Sequence, residues 1–326
     1  MFKKIFISMV ILILPIDIVL AYSKEVIVGG QNIGIEVNTD GVLVIGLYEV
    51  NGELIAKSSN ISTGDYLIKV NGNNINSISD FSREIYNDDD KEYLDITYRR
   101  DNKEFNTNLR LMVEDNEYRT GLYVKDTING IGTLTLIDPL NNRFLALGHQ
   151  IQESNTNKIL EINNGKIYNS YITDIRKSKD GVPGEKVANS HLDDIIGTIN
   201  TNTKKGIFGT YNSDINKNNL VEIGTLDEVK LGKASILTVI ENDIVEEFDI
   251  NIDKIDKNDE LKNILFTITD KRLLEKTGGI VQGMSGSPIM QGGKLVGAVT
   301  HVIVDDCEKG YGISIINMLE ESEKGL

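Results

Sequence analysis

Between residues 128 and 302 the chain is a succession of short β-prone runs closed by turn residues. Runs 128–136 and 144–148 flank Asp138-Pro139-Leu140-Asn141-Asn142, and further runs follow at 167–175, 206–211, 234–239 and 264–269. Short apolar or alternating runs between Pro, Asn and Gly clusters signal strands and hairpins. No long amphipathic helix interrupts them before residues 315–324. This half of the chain is therefore expected to be all-β, a sandwich or a pair of barrels.

Within it lies one stretch of a different kind, Gly278-Gly279-Ile280-Val281-Gln282-Gly283-Met284-Ser285-Gly286-Ser287-Pro288-Ile289, followed by Gly297-Ala298-Val299-Thr300-His301-Val302. A tight Gly-rich loop presents Ser285, and a β-run returns beside it. Glycine at 283 lets the Gly283 and Ser285 amides converge next to the hydroxyl, as an oxyanion hole requires. The second glycine falls one place too early for the Gly-x-Ser-x-Gly elbow of α/β-hydrolases.

A serine nucleophile needs a base, and the base needs a group to fix its tautomer. His149 ends an apolar strand 136 residues before Ser285, the chain order of a double barrel that places base and nucleophile on separate barrels. His301 follows the serine where such folds pair with substrate, so Thr300 and His301 are expected to line the substrate pocket. His191 sits in an Asp-rich segment and reads as solvated. For the carboxylate, Asp138, Asp174, Asp193, Asp194 and Asp270 all remain open on spacing alone.

The first unit, residues 26–112, is α+β. Asn32-Ile33-Gly34-Ile35 opens a strand, Thr39-Asp40-Gly41 is expected to turn it, and Asn71-Gly72 is a hairpin signal. A short helix should run from 78 to Ile85 with Ser79 or Asp80 as its cap, before strands at 93–98 and 107–111. The order resembles a PDZ domain. That resemblance implies that Ile33, Gly34 and Ile35 form a carboxylate-binding loop and strand edge for a peptide.

The 326 residues, 40% apolar, are enough for two domains. Lys+Arg 34 against Asp+Glu 49 gives −15, which disfavours nucleic acid. Cys307 is the only cysteine and there are three histidines, so neither a disulfide, a metal site nor a cofactor is expected. Lys3-Lys4 before the apolar run 5–16, with Ala21 beyond, reads as a signal peptide or membrane anchor over residues 1–23. The chain is therefore expected to be exported, and either secreted or membrane-anchored.

Taken together, Gly29-Gly30-Gln31-Asn32-Ile33-Gly34, Gly130-Ile131-Gly132-Thr133-Leu134-Thr135, Ala146-Leu147-Gly148-His149, Gly184-Glu185-Lys186-Val187 and the run from Thr269 to Val302 resemble the SpoIVB peptidase family of endospore-forming bacteria. The resemblance implies a mainly β chain: an N-terminal PDZ domain, then a chymotrypsin-like double β-barrel over residues 120–326. It also implies a triad of His149 as base, Asp270 as orienting acid and Ser285 as nucleophile. Self-cleavage follows from it too, as does cleavage of a membrane-associated sporulation regulator between forespore and mother-cell membranes, upstream of a late sigma factor. A non-catalytic PDZ scaffold is the alternative, and it has no chemical need for those residues. An HtrA-like protease is disfavoured, because its PDZ domains follow the protease.

Overall fold

The structure, a computed structural model, describes residues 22–87, 92–153 and 158–324. The expected leader lies outside the described residues. Among those described, no helix is long and apolar enough to cross a membrane.

After β1 (Glu25–Val28), strand β2 runs unbroken from Asn32 to Leu47. The expected turn at Thr39-Asp40-Gly41 is instead a bend within β2. Gly41, at φ +104°, lets the strand pass so close to β3 that a Cβ there would lie 2.8 Å from the Leu67 carbonyl. A small α+β unit follows: β3 (Tyr66–Val70), β4 (Asn73–Asn74), α1 (Ile78–Tyr86), β5 (Tyr93–Arg100), β6 (Lys103–Arg110) and the hairpin β7 (Met112–Glu114) with β8 (Glu117–Arg119). Asn71 and Gly72 both take positive φ in the β3–β4 turn, as their pairing in sequence demands. The cap of α1 is Ser77, whose Oγ accepts the Asp80 N–H at 3.0 Å, so the helix begins before Ser79 and Asp80. Val42, Val44, Leu67, Phe81, Leu94, Ile96 and Leu109 share one core here.

Next come β9 (Leu122–Asp138), β10 (Arg143–Ala146), β11 (Ile162–Arg176), β12 (Gly184–Thr203), β13 (Gly206–Tyr211) and β14 (Leu220–Glu222). Strands β9, β10, β13, β12 and β11 pair in that order, and β2 closes the ring by pairing with both β11 and β9. The first barrel thus borrows residues 32–39 from ahead of the PDZ-like unit. Its core holds Ile33, Val37, Leu134, Phe144, Ile167, Ile199 and Ile207.

The second barrel closes in the order β15 (Gly232–Val239), β16 (Val245–Ile255), β17 (Ile264–Ile268), β21 (Asp306–Ser314), β20 (Lys294–Ile303) and β19 (Pro288–Gln291). Between β17 and β19 stand α2 (Lys271–Thr277) and the short β18 (Val281–Gln282), which pairs parallel to β12 of the first barrel. Helix α3 (Ile315–Glu323) covers the seam, where Leu136, Leu145 and Phe208 meet Leu295, Ile313, Met318 and Leu319. Burying such side chains contributes roughly 1.5–3 kcal/mol each, which fixes the two barrels against one another. The molecule is mainly β, with a double barrel of the chymotrypsin-like kind behind an α+β unit.

Candidate active site

The serine loop is suspended between the barrels. Helix α2 ends at Gly278 in the left-handed conformation, its N–H on the Leu274 carbonyl. From there the chain passes through β18 to Gly283 at φ +94° and Gly286 at φ +92°. Thr133 of β9 holds the loop twice. Its N–H donates to the Ser285 carbonyl at 2.9 Å, and its hydroxyl to the Gly283 carbonyl at 2.8 Å. Thr135, on the same face two residues on, donates its hydroxyl to the Gly286 carbonyl at 2.8 Å. A Cβ on Gly286 would fall 2.1 Å from the Thr133 carbonyl and 2.5 Å from the Leu147 nitrogen, so only glycine permits this approach.

With those carbonyls tied back, the Gly283 and Ser285 N–H groups donate to no acceptor among the described residues. Two unspent amides beside a half-buried serine hydroxyl can receive an oxyanion. The Ser285 Oγ itself donates to the Thr300 carbonyl at 3.0 Å.

His149 and Ser285 line one cleft of about 620 Å³, together with Thr300, His301, Leu147, Ile131 and Gly283. The approach to His149 is a tight turn: Leu147, a non-glycine residue, takes φ +69° and Gly148 +68°. The His149 Nδ1 lies 2.8 Å from the Gln150 carbonyl. A carbonyl only accepts, so Nδ1 carries the proton and Nε2 of the neutral ring is left as a base. Burial lowers the His149 pKa, and the Gln150 bond opposes that only in part. The His301 ring is 5.3 Å away, centroid to centroid. Its own pKa is also lowered, first by desolvation and then by His149 and Lys262. Both rings are therefore neutral near pH 7.

Lys186 lies behind the loop on β12, buried at 2% exposure. A Cβ on Gly283 would be 3.1 Å from its Cδ and 3.2 Å from its Cβ, so the lysine stem backs the oxyanion loop. Its Nζ donates to the buried Thr238 hydroxyl at 2.9 Å. Burial pulls its pKa from 10.5 to about 7.

In this structure Asp270, expected as the orienting acid, makes its contacts within its own helix. It caps α2, accepting the N–H groups of Arg272 at 2.8 Å and Leu273 at 3.2 Å, and pairs with the Arg272 guanidinium at 3.3 Å. Burial pushes its carboxyl up, but the Leu273 and Arg272 bonds outweigh that and hold it below the usual range. Among the described residues no hydrogen bond or ion pair joins it to His149. The group on the base is the Gln150 carbonyl. Ile33, Gly34 and Ile35 form no carboxylate loop either. They pair with Gly132, Ile131 and Gly130 on one edge and with Asn169, Tyr168 and Ile167 on the other, so a peptide finds no free edge there. A Cβ on Gly34 would meet the Ser190 hydroxyl at 1.9 Å, which is why this position is glycine.

Thr133, Thr135 and Lys186 stood in recognised runs but carried no role. The available signal was a pair of hydroxyl residues two apart, hence on one face, within an otherwise apolar strand.

A family model of the SpoIVB peptidase S55 matches residues 116–319, and one of the PDZ domain matches residues 32–111. No curated protein matches the chain. Among solved structures, the PDZ domain of the SdrC-like protein of Listeria monocytogenes is similar at 19% identity, covering 27% of this chain and 90% of that one, with a TM-score of 0.23. The active form of the Rv3671c protease from M. tuberculosis is similar at 14% identity over 60% of this chain and 74% of that one, with a TM-score of 0.35. Since the peptidase model spans more than half of its length, the chain belongs to the SpoIVB peptidase S55 family and is a serine peptidase with a PDZ domain ahead of it.

Proposed function

We propose that this serine peptidase is an endopeptidase that works through an acyl-enzyme on Ser285, with His149 as base. The observation that carries the reading is the serine hydroxyl in one cleft with a correctly protonated imidazole and two unspent amides. In the resting arrangement Ser285 donates to the Thr300 carbonyl. A serine side chain turns readily between staggered rotamers, and turning it toward Nε2 lets the proton pass to His149 as Oγ attacks the scissile carbonyl. The developing oxyanion is received by the Gly283 and Ser285 amides. The imidazolium then protonates the leaving amine, and water repeats the cycle on the ester. Thr300 and His301, on the strand beside the serine, line the pocket for the residues before the scissile bond.

The fuller role rests on the family resemblance and on the basic, apolar leader. In it the enzyme is exported, anchored or secreted between the forespore and mother-cell membranes, cleaves itself, and cleaves a membrane-associated sporulation regulator.

A fluorophosphonate probe on the purified chain, followed by N-terminal sequencing of fragments, tests both levels. The expected outcome is labelling and self-cleavage in wild type and neither in Ser285→Ala. Labelling that persists in Ser285→Ala and vanishes in Ser287→Ala would move the nucleophile. Labelling absent from a folded wild type would favour the non-catalytic scaffold.

A further inference from the structure

Strand β9 serves two regions at once. Residues 127–133 pair with 38–32 of β2 in the first barrel, and residues 122–125 pair with 47–43 of β2 beside the PDZ-like core. Its opposite edge is taken by β10 only from Leu134 onward, while β1, which leads into β2, pairs at Leu136 and Ile137 on the β2 side. Among the described residues, no strand pairs with that edge between Leu122 and Gly132. The direction of the backbone groups follows from the alternation of a strand. The Leu134 N–H donates to the Gln31 carbonyl on the β2 side, and the Thr133 N–H to the Ser285 carbonyl on the opposite side. Ile131 and Asn129, two and four residues before Thr133 in regular register, therefore turn their N–H and C=O groups to the unpaired edge. Residues 128–131 line the catalytic cleft.

Toward its start β9 is met by α1 on the face that Val124 and Asp126 share. The Ile78 N–H donates to the Asp126 carboxylate at 2.8 Å, and Val124 packs against the core that holds Phe81 and Ile85. Tyr118, just ahead of the strand, meets Tyr86 at the far end of α1, with ring centroids 5.9 Å apart. The helix thus runs antiparallel to β9 alongside it. A strand edge flanked by an antiparallel helix is the setting in which an extended peptide adds to a sheet. Residues 33–35 are sealed inside the first barrel, so β9 holds the position that a peptide can reach.

We propose that the unpaired edge of β9 is one continuous docking rail for the substrate's own segment downstream of the scissile bond. This deepens the endopeptidase reading and rests on it. A strand adding antiparallel to β9 reads from Ile131 toward Leu122 in its own N-to-C direction. The part of the substrate that departs from Ser285 is therefore the part that reaches α1. Between Ile131 and Leu122 the rail offers about ten residues, roughly 33 Å at ~3.3 Å per residue. The PDZ-like unit then acts as the far end of the active site rather than as a separate address reader. Continuity with the catalytic cleft is what selects this occupant over an unrelated peptide.

The test uses the full chain. Digestion of a proteome-derived peptide library gives a cleaved segment. Internally quenched peptides are then built on it with about two, six, ten and fourteen residues after the scissile bond, and a second set carries N-methylated backbone beyond the fourth. Each net interstrand hydrogen bond changes binding by a few-fold, so kcat/KM should rise about tenfold between the two- and ten-residue peptides and level off by fourteen. N-methylation should abolish that rise. Fluorophosphonate labelling of Ser285, which needs no downstream segment, is run beside it. With labelling intact, a flat length series, or a rise that survives N-methylation, overturns the rail while leaving the peptidase reading in place. Failure of labelling and of all cleavage removes the peptidase reading, and the rail with it.

Discussion

Replacing Lys186 with methionine should stabilise the protein at neutral pH and remove a pH dependence expected of the wild type. The lysine is fully buried against Gly283, with Thr238 as its one hydrogen-bond partner among the described residues, and burial pulls its pKa from 10.5 to about 7. Each pH unit of that displacement is about 1.4 kcal/mol, so the buried ammonium costs on the order of 5 kcal/mol once both states are protonated. Between pH 7 and 10.5 the unfolded chain holds this proton and the folded chain does not, so wild-type stability rises with pH across that window. From pH 7 to pH 9 the expected rise from this group is about 2 kcal/mol. In Lys186→Met the rise disappears, and the aliphatic stem behind Gly283 is kept. The Thr238 hydroxyl loses its partner at a cost of about 1–3 kcal/mol, which offsets part of the gain. The net expectation is a variant more stable by roughly 2–3 kcal/mol at pH 7 and about equal to wild type by pH 9. The chain has no tryptophan, so urea unfolding followed by far-UV circular dichroism at pH 7, 8 and 9 is the suitable assay. Parallel pH slopes for the two proteins, or a variant less stable at pH 7, would refute the reasoning.

Thr133→Val keeps the shape of a fully buried side chain but leaves the Gly283 carbonyl unheld. A loss of about 1–3 kcal/mol in stability is expected, with kcat lowered about tenfold and KM little changed. Because burial lowers the His149 pKa and a base must be unprotonated, activity should fall with acidification through a midpoint below 6.5. A kcat/KM profile with its acid limb at or above 6.5 contradicts that. Asn is as good a helix cap as Asp, so Asp270→Asn should retain activity within a few-fold, whereas Asp270→Ala should lose about 0.5–2 kcal/mol and some activity through the α2–Gly278 approach to the loop. An orienting acid would instead lose up to roughly 10⁴-fold in the Asn variant, and circular dichroism with steady-state kinetics on the pair separates the two.

What could be read from the residues, and what could not, divides along one physical line. The bends of the serine loop at Gly283 and Gly286, and the position of His149 just past a short apolar strand, were legible because they are local features. The Asn71-Gly72 turn was legible for the same reason. Strand propensity says nothing about which neighbour a strand takes. Asn32-Ile33-Gly34-Ile35 has the same alternating pattern whether its edge is open to a peptide or closed by β9 and β11, and only the long-range pairing decides. Asp270 is left open by sequence in a similar way. Its identity fits an orienting acid and a helix cap equally, and the two N–H groups that follow it at the start of α2 settle which bonds it makes here.

The same division explains why β9 carries so much. The brace on the serine loop, the wall of the cleft and the border of the α1 groove are all backbone or short-side-chain interactions spaced along one seventeen-residue strand. Nothing in its composition separates it from the strands around it. Its role follows from being paired on one edge to β2 over most of its length, while the other edge meets the cleft and Ser285 and one face meets α1 near the strand's start. The Leu122 end lies on the same strand as Thr133, whose N–H and hydroxyl hold the Ser285 and Gly283 carbonyls. The proposed rail and the brace on the nucleophile loop thus share one strand. A substrate long enough to span both should organise the site that cleaves it.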